Sequence, residues 1–391
     1  MFNIIMLGLV SFFADISSEM VYPLIPLYLA GAFGATPALV GVIEGIAEST
    51  ASLLKVYSGY LTDRYKRKKP IAFIGYAAGL VYKAALLLSS SWGGVLAARV
   101  IDRLGKGIRT SPRDVMVSES ADKQAMGKAF GVHKALDMAG SALGILLAYL
   151  LVRGAVSGQA DYRRVFLLSA IPAALSLVMF FFIREKRENR TPWQRERFWK
   201  NIGGLSRPLK LYLLIAFLFT LGNSSNAFLL LRAKSAGFDD VTVILLYFAY
   251  NLTASLLAIP FGRLSDKVGR KRLLTLGYLV FAAVYLGFAF IQSRAGLLLL
   301  FVAYGFYTAM TAGVERALIT DIAPKELKGT MLGLHSTLVG AALLPASALF
   351  GLLWTRFGPQ VPFIFGASLS LVSAALLMAF FKPAAPAAQV R

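Results

Sequence analysis

Four short stretches put ionisable side chains where apolar sequence surrounds them. FFADISSEMVYP carries Asp15, Ser17, Ser18 and Glu19, and VIEGIAESTASLLK carries Glu44, Glu48 and Lys55. ARVIDRLGKGIRTSPRD carries Arg99, Asp102, Arg103, Lys106, Arg109, Arg113 and Asp114, and His133, Lys134 and Asp137 follow. Glu44, Glu48 and Lys55 fall on one helical face, and Arg99, Arg103, Lys106 and Arg113 form a stripe at helical spacing. Charges at such spacing can trade ion-pair partners, carry a proton or hold a charged solute. The second half of the chain answers with neutral groups: Asn223, Ser224, Ser225, Asn226 and Asn251, with Glu315, Arg316, Asp321 and His335 further on. Tyr247, Tyr250, Tyr304 and Tyr307 read either as a wall for an amphiphile or as packing.

The elements that must position these groups are membrane spans. Of the 391 residues, 57% are hydrophobic and 16% charged, against about 25% charged in a soluble domain. Apolar runs long enough to cross a bilayer recur along the chain. The predicted spans are 3–30, 37–60, 70–91, 93–117, 127–152 and 163–183, then 208–232, 240–262, 272–293, 295–320, 328–353 and 360–381. The first is long for a cleaved leader and holds Asp15 and Glu19 inside it, so it reads as a span. At about 1.5 Å rise per residue, Asp15, Glu48, Asp102, Arg103, Lys106 and Asp137 land within roughly two turns of the midplane. Ionisable groups at that depth are costly and point to function by default. A buried ion-pair network that only holds helices together is the competing reading, but such pairs seldom outdo a packed apolar core.

Charge placement sets the orientation. The net charge of +21 lies largely in short connections such as Arg64 to Lys69 and Lys267 to Arg272. That distribution follows the positive-inside rule rather than a nucleic-acid-binding surface. Both termini and the central linker are expected on the cytoplasmic side of the cytoplasmic membrane. The linker from Arg184 to Lys210 holds nine Lys/Arg against three Glu, with Trp193, Phe198 and Trp199 among them. It reads either as an amphipathic segment on the membrane surface or as a solvated connector. Cysteine is absent and only His133 and His335 occur, which argues against thiolate or zinc chemistry. No phosphate-binding G-x-x-x-x-G-K-[ST] occurs. No metal, cofactor or enzymatic activity is expected.

The chain is also written twice. Thr50 to Lys69, TASLLKVYSGYLTDRYKRKK, and Thr253 to Arg272, TASLLAIPFGRLSDKVGRKR, lie 203 positions apart. GKAFGVHKAL (127–136) and GTMLGLHSTL (329–338) repeat in the same way. Two halves with the same helix order imply a pseudo-twofold along the membrane normal with a cavity between them.

GRLSDKVGRKR (262–272) resembles the loop motif G-x-L-x-D-R/K-x-G-R-K/R of the major facilitator superfamily, and GYLTDRYKRKK (59–69) is its second copy, departing at Lys66. The resemblance spans the whole chain. It implies an all-α membrane protein of twelve transmembrane helices in two pseudo-symmetric six-helix bundles, 1–183 and 208–382, joined by a linker at 184–207; the tail PAAPAAQVR at 383–391 is expected from its own sequence to be disordered. It also implies alternating access, with helices one, two, four and five lining the cavity. On that basis Gly59, Asp63, Arg64, Arg67, Gly262, Asp266, Gly269 and Arg270 form a gating motif. The glycines would let helices approach closely at the cytoplasmic rim, and the charges would latch that side shut.

The expected function is secondary transport of a small organic or amphiphilic solute by a monomer in the lipid bilayer, driven by protons, with export favoured because the pattern resembles bacterial drug-efflux members. Glu48, Asp15, Glu19 and Asp137 are the candidate proton carriers, since a carboxyl group away from water can change its protonation near neutral pH. Arg103, Lys106, Glu44, Asn223, Asn226 and Tyr304 are the candidate solute contacts. Import of an organic anion and lipid flipping stand as alternatives.

Overall fold

The computed structural model describes residues 2–65, 68–120, 126–153, 161–185, 205–323 and 328–380. Arg67, most of the linker and the tail lie outside them, as do the side chains of Gly59, Asp63 and Arg64. The first half comprises α1 (Phe2–Val21), α2 (Leu24–Phe33), α3 (Pro37–Tyr65), α4 (Lys68–Leu88), α5 (Trp92–Glu119), α6 (Met126–Arg153) and α7 (Tyr162–Phe181). The second comprises α8 (Arg207–Gly222), α9 (Ala227–Ser235), α10 (Asp240–Val268), α11 (Arg270–Phe290), α12 (Arg294–Ile322), α13 (Lys328–Phe357) and α14 (Gln360–Ala379). Among the described residues there is no strand.

Two spans expected to be continuous are each split in two, and they are equivalent spans of the two halves. The first breaks between α1 and α2 at Tyr22 and Pro23, where proline has no N–H to continue the helical ladder. The seventh breaks between α8 and α9 at Asn223–Asn226, a run of Asn and Ser whose side chains compete for backbone hydrogen bonds. Taking each broken pair as one segment, eleven helical stretches among the described residues are long and apolar enough to cross a membrane. The remaining long helix, α5, is the one that carries the arginine stripe. Local signals set the other ends. Ser91, Asp161 and Ser293 cap α5, α7 and α12 by accepting backbone N–H bonds from Gly94, Arg164 and Gly296. Gly269, at φ 91°, separates α10 from α11, a backbone conformation that favours glycine.

The halves repeat each other in their packing. α1 lies on α6 and α7, as α8 lies on α13 and α14. α5 lies on α3 and α4, as α12 lies on α10 and α11. The halves meet through α3 on α13 and α6 on α10. Along the first seam the backbones nearly touch: a Cβ on Gly41 would stand 2.2 Å from Ser347 O, and one on Gly351 would stand 2.4 Å from Pro37 O. Ser49 Oγ donates to Gly340 O at 2.6 Å, and Thr355 Oγ1 accepts from Ala38 N at 3.1 Å. At the same end α2 lies on α9, and Tyr162 donates to Asp240 between the halves. Beyond Ser52 the seam opens. Leu53 and Tyr57 on α3 are 47% and 55% exposed, and Gly333 on α13 has nothing within 4 Å of a Cβ position. Among the described residues the two bundles are closed against each other at one end and parted at the other.

Candidate functional site

The charged stripe of α5 meets α1 and α3 at the centre of the first half. Arg99 and Arg103 are one helical turn apart, and Glu44 and Glu48 on α3 are spaced the same way, so the two rows face each other. Arg99 forks onto Glu44, with Nε donating to Oε1 at 3.0 Å and Nη2 to Oε2 at 2.8 Å. It also reaches Glu48 at 3.9 Å and Asp102 at 3.5 Å. Arg103 Nη2 pairs with Glu48 at 3.2 Å, and its Nε lies 3.5 Å from Asp102 without making a hydrogen bond. Both guanidinium groups also sit over the Tyr22 ring, at 5.3 and 5.6 Å, a favourable placement for a cation. Side-chain exposure is 1% for both Arg99 and Glu44, but 27% for Glu48.

This network touches the second half at the break between α8 and α9. Ser225 Oγ donates to Glu44 Oε2 at 3.3 Å, while Ser225 N donates to Ser347 Oγ at 3.2 Å. Glu44, expected to contact solute, is instead enclosed by Arg99 and Ser225. The neutral wall opposite is itself a network. Asn223 Nδ2 donates to Tyr307 OH at 2.8 Å, Tyr304 OH to Asn226 Oδ1 at 3.0 Å, and Asn226 Nδ2 to Tyr250 OH at 3.3 Å. The two walls meet where the Tyr22 and Tyr247 rings stand 5.7 Å apart.

A second polar cluster lies between α1, α5 and α6. Asp15 and Asp137 bring their side-chain carboxyl groups together across α1 and α6. Lys134 reaches Asp137 at 2.7 Å and Arg113 reaches it at 4.0 Å. His133 Nε2 lies 3.0 Å from Ser11 Oγ, which in turn is 3.2 Å from Tyr76 OH. The structure therefore separates the candidate carboxylates: Glu48 belongs to the central network, Glu19 to the pocket beside it, and Asp15 with Asp137 to this cluster.

The described loop-motif charges make their contacts within each half. Lys68 pairs with Glu119 at the end of α5, and Lys69 Nζ donates to Ile183 O just past α7 at 2.5 Å. In the second half Arg270 pairs with Asp321 at the end of α12 and with Asp266 at 3.4 Å. Lys271 Nζ donates to Met378 O near the end of α14 at 3.0 Å. Lys68 and Lys69 thus occupy the places of Arg270 and Lys271, at a spacing of 202 rather than 203 positions. Gly262 has nothing within 4 Å of a Cβ position. Among the described residues the close helix approach expected there is absent.

Sequence reasoning passed over Lys83 and Tyr82 on α4. Lys83 is 1% exposed, its ammonium 4.2 Å from the Tyr82 ring centre, and it makes no ion pair among the described residues. A lone lysine in the otherwise uncharged span 70–91 was the available signal. Arg232 was also missed. Its guanidinium donates to Phe288 O at 2.7 Å and Ile291 O at 3.3 Å, closing the end of α11.

Among the described residues, eleven apolar spans, the charged α5 lying between them, and two repeated halves describe a polytopic membrane protein. The family model of the Major Facilitator Superfamily matches residues 7–239 and 212–391, and the chain belongs to that superfamily. An uncharacterised MFS-type transporter of Methanocaldococcus jannaschii is 37% identical over 382 residues, covering 96% of this chain and 94% of the relative. A multi-drug resistance efflux pump PmrA homolog of Lactococcus lactis is 26% identical over 81% of this chain and 79% of its own. Among solved structures, a D-xylose-proton symporter superposes with TM-score 0.78 at 16% identity over 98% of both chains. The nucleoside transporter NupG does so with TM-score 0.79 at 13% identity, over 98% of this chain and all of that one. The chain is an MFS transporter.

Proposed function

We propose that the chain is a proton-coupled secondary transporter that exports a small organic or amphiphilic solute by alternating access. One observation carries this reading. Glu48 is shared between Arg103 and Arg99 and keeps 27% of its side chain open, whereas its arginine partners are 6% and 1% exposed. A proton arriving there removes the charge that holds Arg103. The freed guanidinium then changes its partner, and helix positions follow. Arg103, Lys106, Asn226 and Tyr304 bind solute between the halves in this reading. The Asp15–Asp137 pair and Glu19 are further places for a proton, and the loop-motif charges steady the rim while the halves rock. Export is supported by the name of the Lactococcus relative. The test is proton flux in proteoliposomes while each of a panel of organic solutes is placed on one side. A solute gradient is expected to move protons, and a transported solute that moves none would overturn the coupling.

The proposed orientation puts both termini in the cytoplasm, so the closed end of the bundles faces outward and the parted end faces inward. Single cysteines placed at Ser91 and Ser235 in this cysteine-free chain are expected to react with an impermeant maleimide added to whole cells. Those at Asn189 and Lys328 should react only after permeabilisation. External labelling at Asn189 would invert the assignment.

A further inference from the structure

The two repeated halves differ at one place on their outer surface. At the loop-motif end, where α11 lies on α14, a crevice of about 270 Å³ opens between them. Lys271, Arg272, Thr275, Leu276 and Leu279 of α11 line it with Met378 of α14. In the first half α4 and α7 take the same positions. There Lys69 Nζ donates to Phe181 O at 3.3 Å, as Lys271 Nζ donates to Met378 O at 3.0 Å, so Phe181 and Met378 hold equivalent places. At the spacing of 202 positions Phe73 and Thr275 do too. The rings of Phe73 and Phe181 stand 5.7 Å apart across the first crevice. Threonine and methionine leave the second one open.

The charges differ in the same place. At the start of α4, Lys68 pairs with Glu119, and Glu185 accepts from the backbone N–H of Lys68 at 2.9 Å and of Lys69 at 3.3 Å. At the start of α11, Asp266 and Asp321 both pair with Arg270. Among the described residues Lys271 and Arg272 have no ion pair. Arg272 stands where the first half has Pro70, and residues 380–391 bring no Asp or Glu to stand where Glu185 does. The crevice is also graded as a leaflet is graded. Lys271 and Arg272 lie in the first turn of α11, and Leu279 lies about 12 Å further along its axis. Leu276, Leu279 and Met378 are exposed on the outside of the bundle, at the depth where acyl chains begin.

We infer that this crevice binds one anionic diacyl phospholipid from the leaflet on that side. The phosphate accepts from the Arg272 guanidinium and from the Lys271 ammonium, which has two hydrogens left after its bond to Met378 O. The upper part of one acyl chain lies along Thr275, Leu276 and Leu279 against Met378, and the rest of the lipid stays in the leaflet. A zwitterionic headgroup fits less well, because its ammonium finds no carboxylate that Arg270 has not already taken. The lipid supplies in the second half what Phe73, Phe181 and Glu185 supply in the first.

The experiment is native mass spectrometry of the purified full chain in detergent, titrated separately with phosphatidylglycerol, phosphatidylcholine and glycerol 1-phosphate. One phosphatidylglycerol is expected to be held more than about tenfold more tightly than phosphatidylcholine, as two basic contacts allow, and glycerol 1-phosphate is expected not to be retained. Thr275→Phe/Met378→Phe copies the ring pair of the first half with the charges untouched, and should lose that one lipid. Lys271→Gln/Arg272→Gln should lose the preference for phosphatidylglycerol at the site, while Lys271→Arg/Arg272→Lys keeps it. The thermal midpoint without lipid reports whether each variant is folded. If the phenylalanine pair does not fold, Leu279→Trp, on the exposed face, obstructs the crevice and carries the same expectation. Phosphatidylcholine held as tightly as phosphatidylglycerol would make this an apolar surface wetted by any lipid, and overturns the proposal. Glycerol 1-phosphate held as tightly would make it a site for soluble anions, and overturns it too. So does a full complement of phosphatidylglycerol on folded variants with the crevice filled.

Discussion

Glu44→Leu is expected to cost about 3–5 kcal/mol, because it leaves the Arg99 guanidinium buried without its main counter-charge. Both side chains are 1% exposed, so water cannot replace the lost carboxylate. Asp102 at 3.5 Å and Glu48 at 3.9 Å are too far, and too engaged with Arg103, to take over the two short bonds of the fork. The double variant Glu44→Leu/Arg99→Met should recover most of the loss, since removing both charges also removes the cost of burying them. Denaturant unfolding of the single and double variants in detergent measures the coupling directly. Equal destabilisation by the single and double variants would mean that the charges are not matched against each other. Glu44 is also the point where the first-half network touches Ser225. The double variant is therefore expected to fold and yet transport poorly, with the two halves no longer tied through this contact.

Much of this architecture was legible because membrane physics constrains it so strongly. Apolar length fixes a span, and the repeat makes the packing of α3 on α13 equivalent to that of α6 on α10, although which helices meet across the halves was not legible in it. Helical spacing put Glu44 with Glu48 on one face of α3 and Arg99 with Arg103 on one face of α5. What spacing cannot give is the partner on another helix. Glu44 looked like a solute contact because it shares a face with Glu48, yet the fork from Arg99 and the hydroxyl of Ser225 enclose it. Lys83 was missed because one charge hardly lowers the hydropathy of its span, although burial makes that charge conspicuous. The broken helices were half visible. Pro23 marked a bend, while the Asn-Ser-Ser-Asn run at 223–226 read as polar groups on a continuous helix. The loop motif was recognised as sequence, but its contacts depend on conformation, and with this end parted the charges of α4 and α11 turn to their own halves.

Glu48→Gln is expected to abolish proton-driven movement of solute while sparing exchange of solute for solute. Glutamine keeps the size of the protonated acid and its capacity to donate one hydrogen bond and accept another. The variant therefore mimics the proton-loaded carrier and cannot unload. Arg103, 3.2 Å away in the native protein, loses its carboxylate permanently and is left with Asp102 at 3.5 Å. A cycle that must return the carboxylate to its charged form stops at that step. Exchange returns the carrier with solute aboard and needs no change of protonation at this position, so it continues. Counterflow of labelled solute in proteoliposomes, compared with accumulation under an imposed pH gradient, separates the two processes. Expected is near-native counterflow with no gradient-driven accumulation. Fold damage would depress both, so the ratio reports coupling rather than stability. Full pH-dependent transport in the variant would make Glu48 a structural partner of Arg103. The proton would then belong to the Asp15–Asp137 contact, and Asp15→Asn would be the substitution that breaks the coupling.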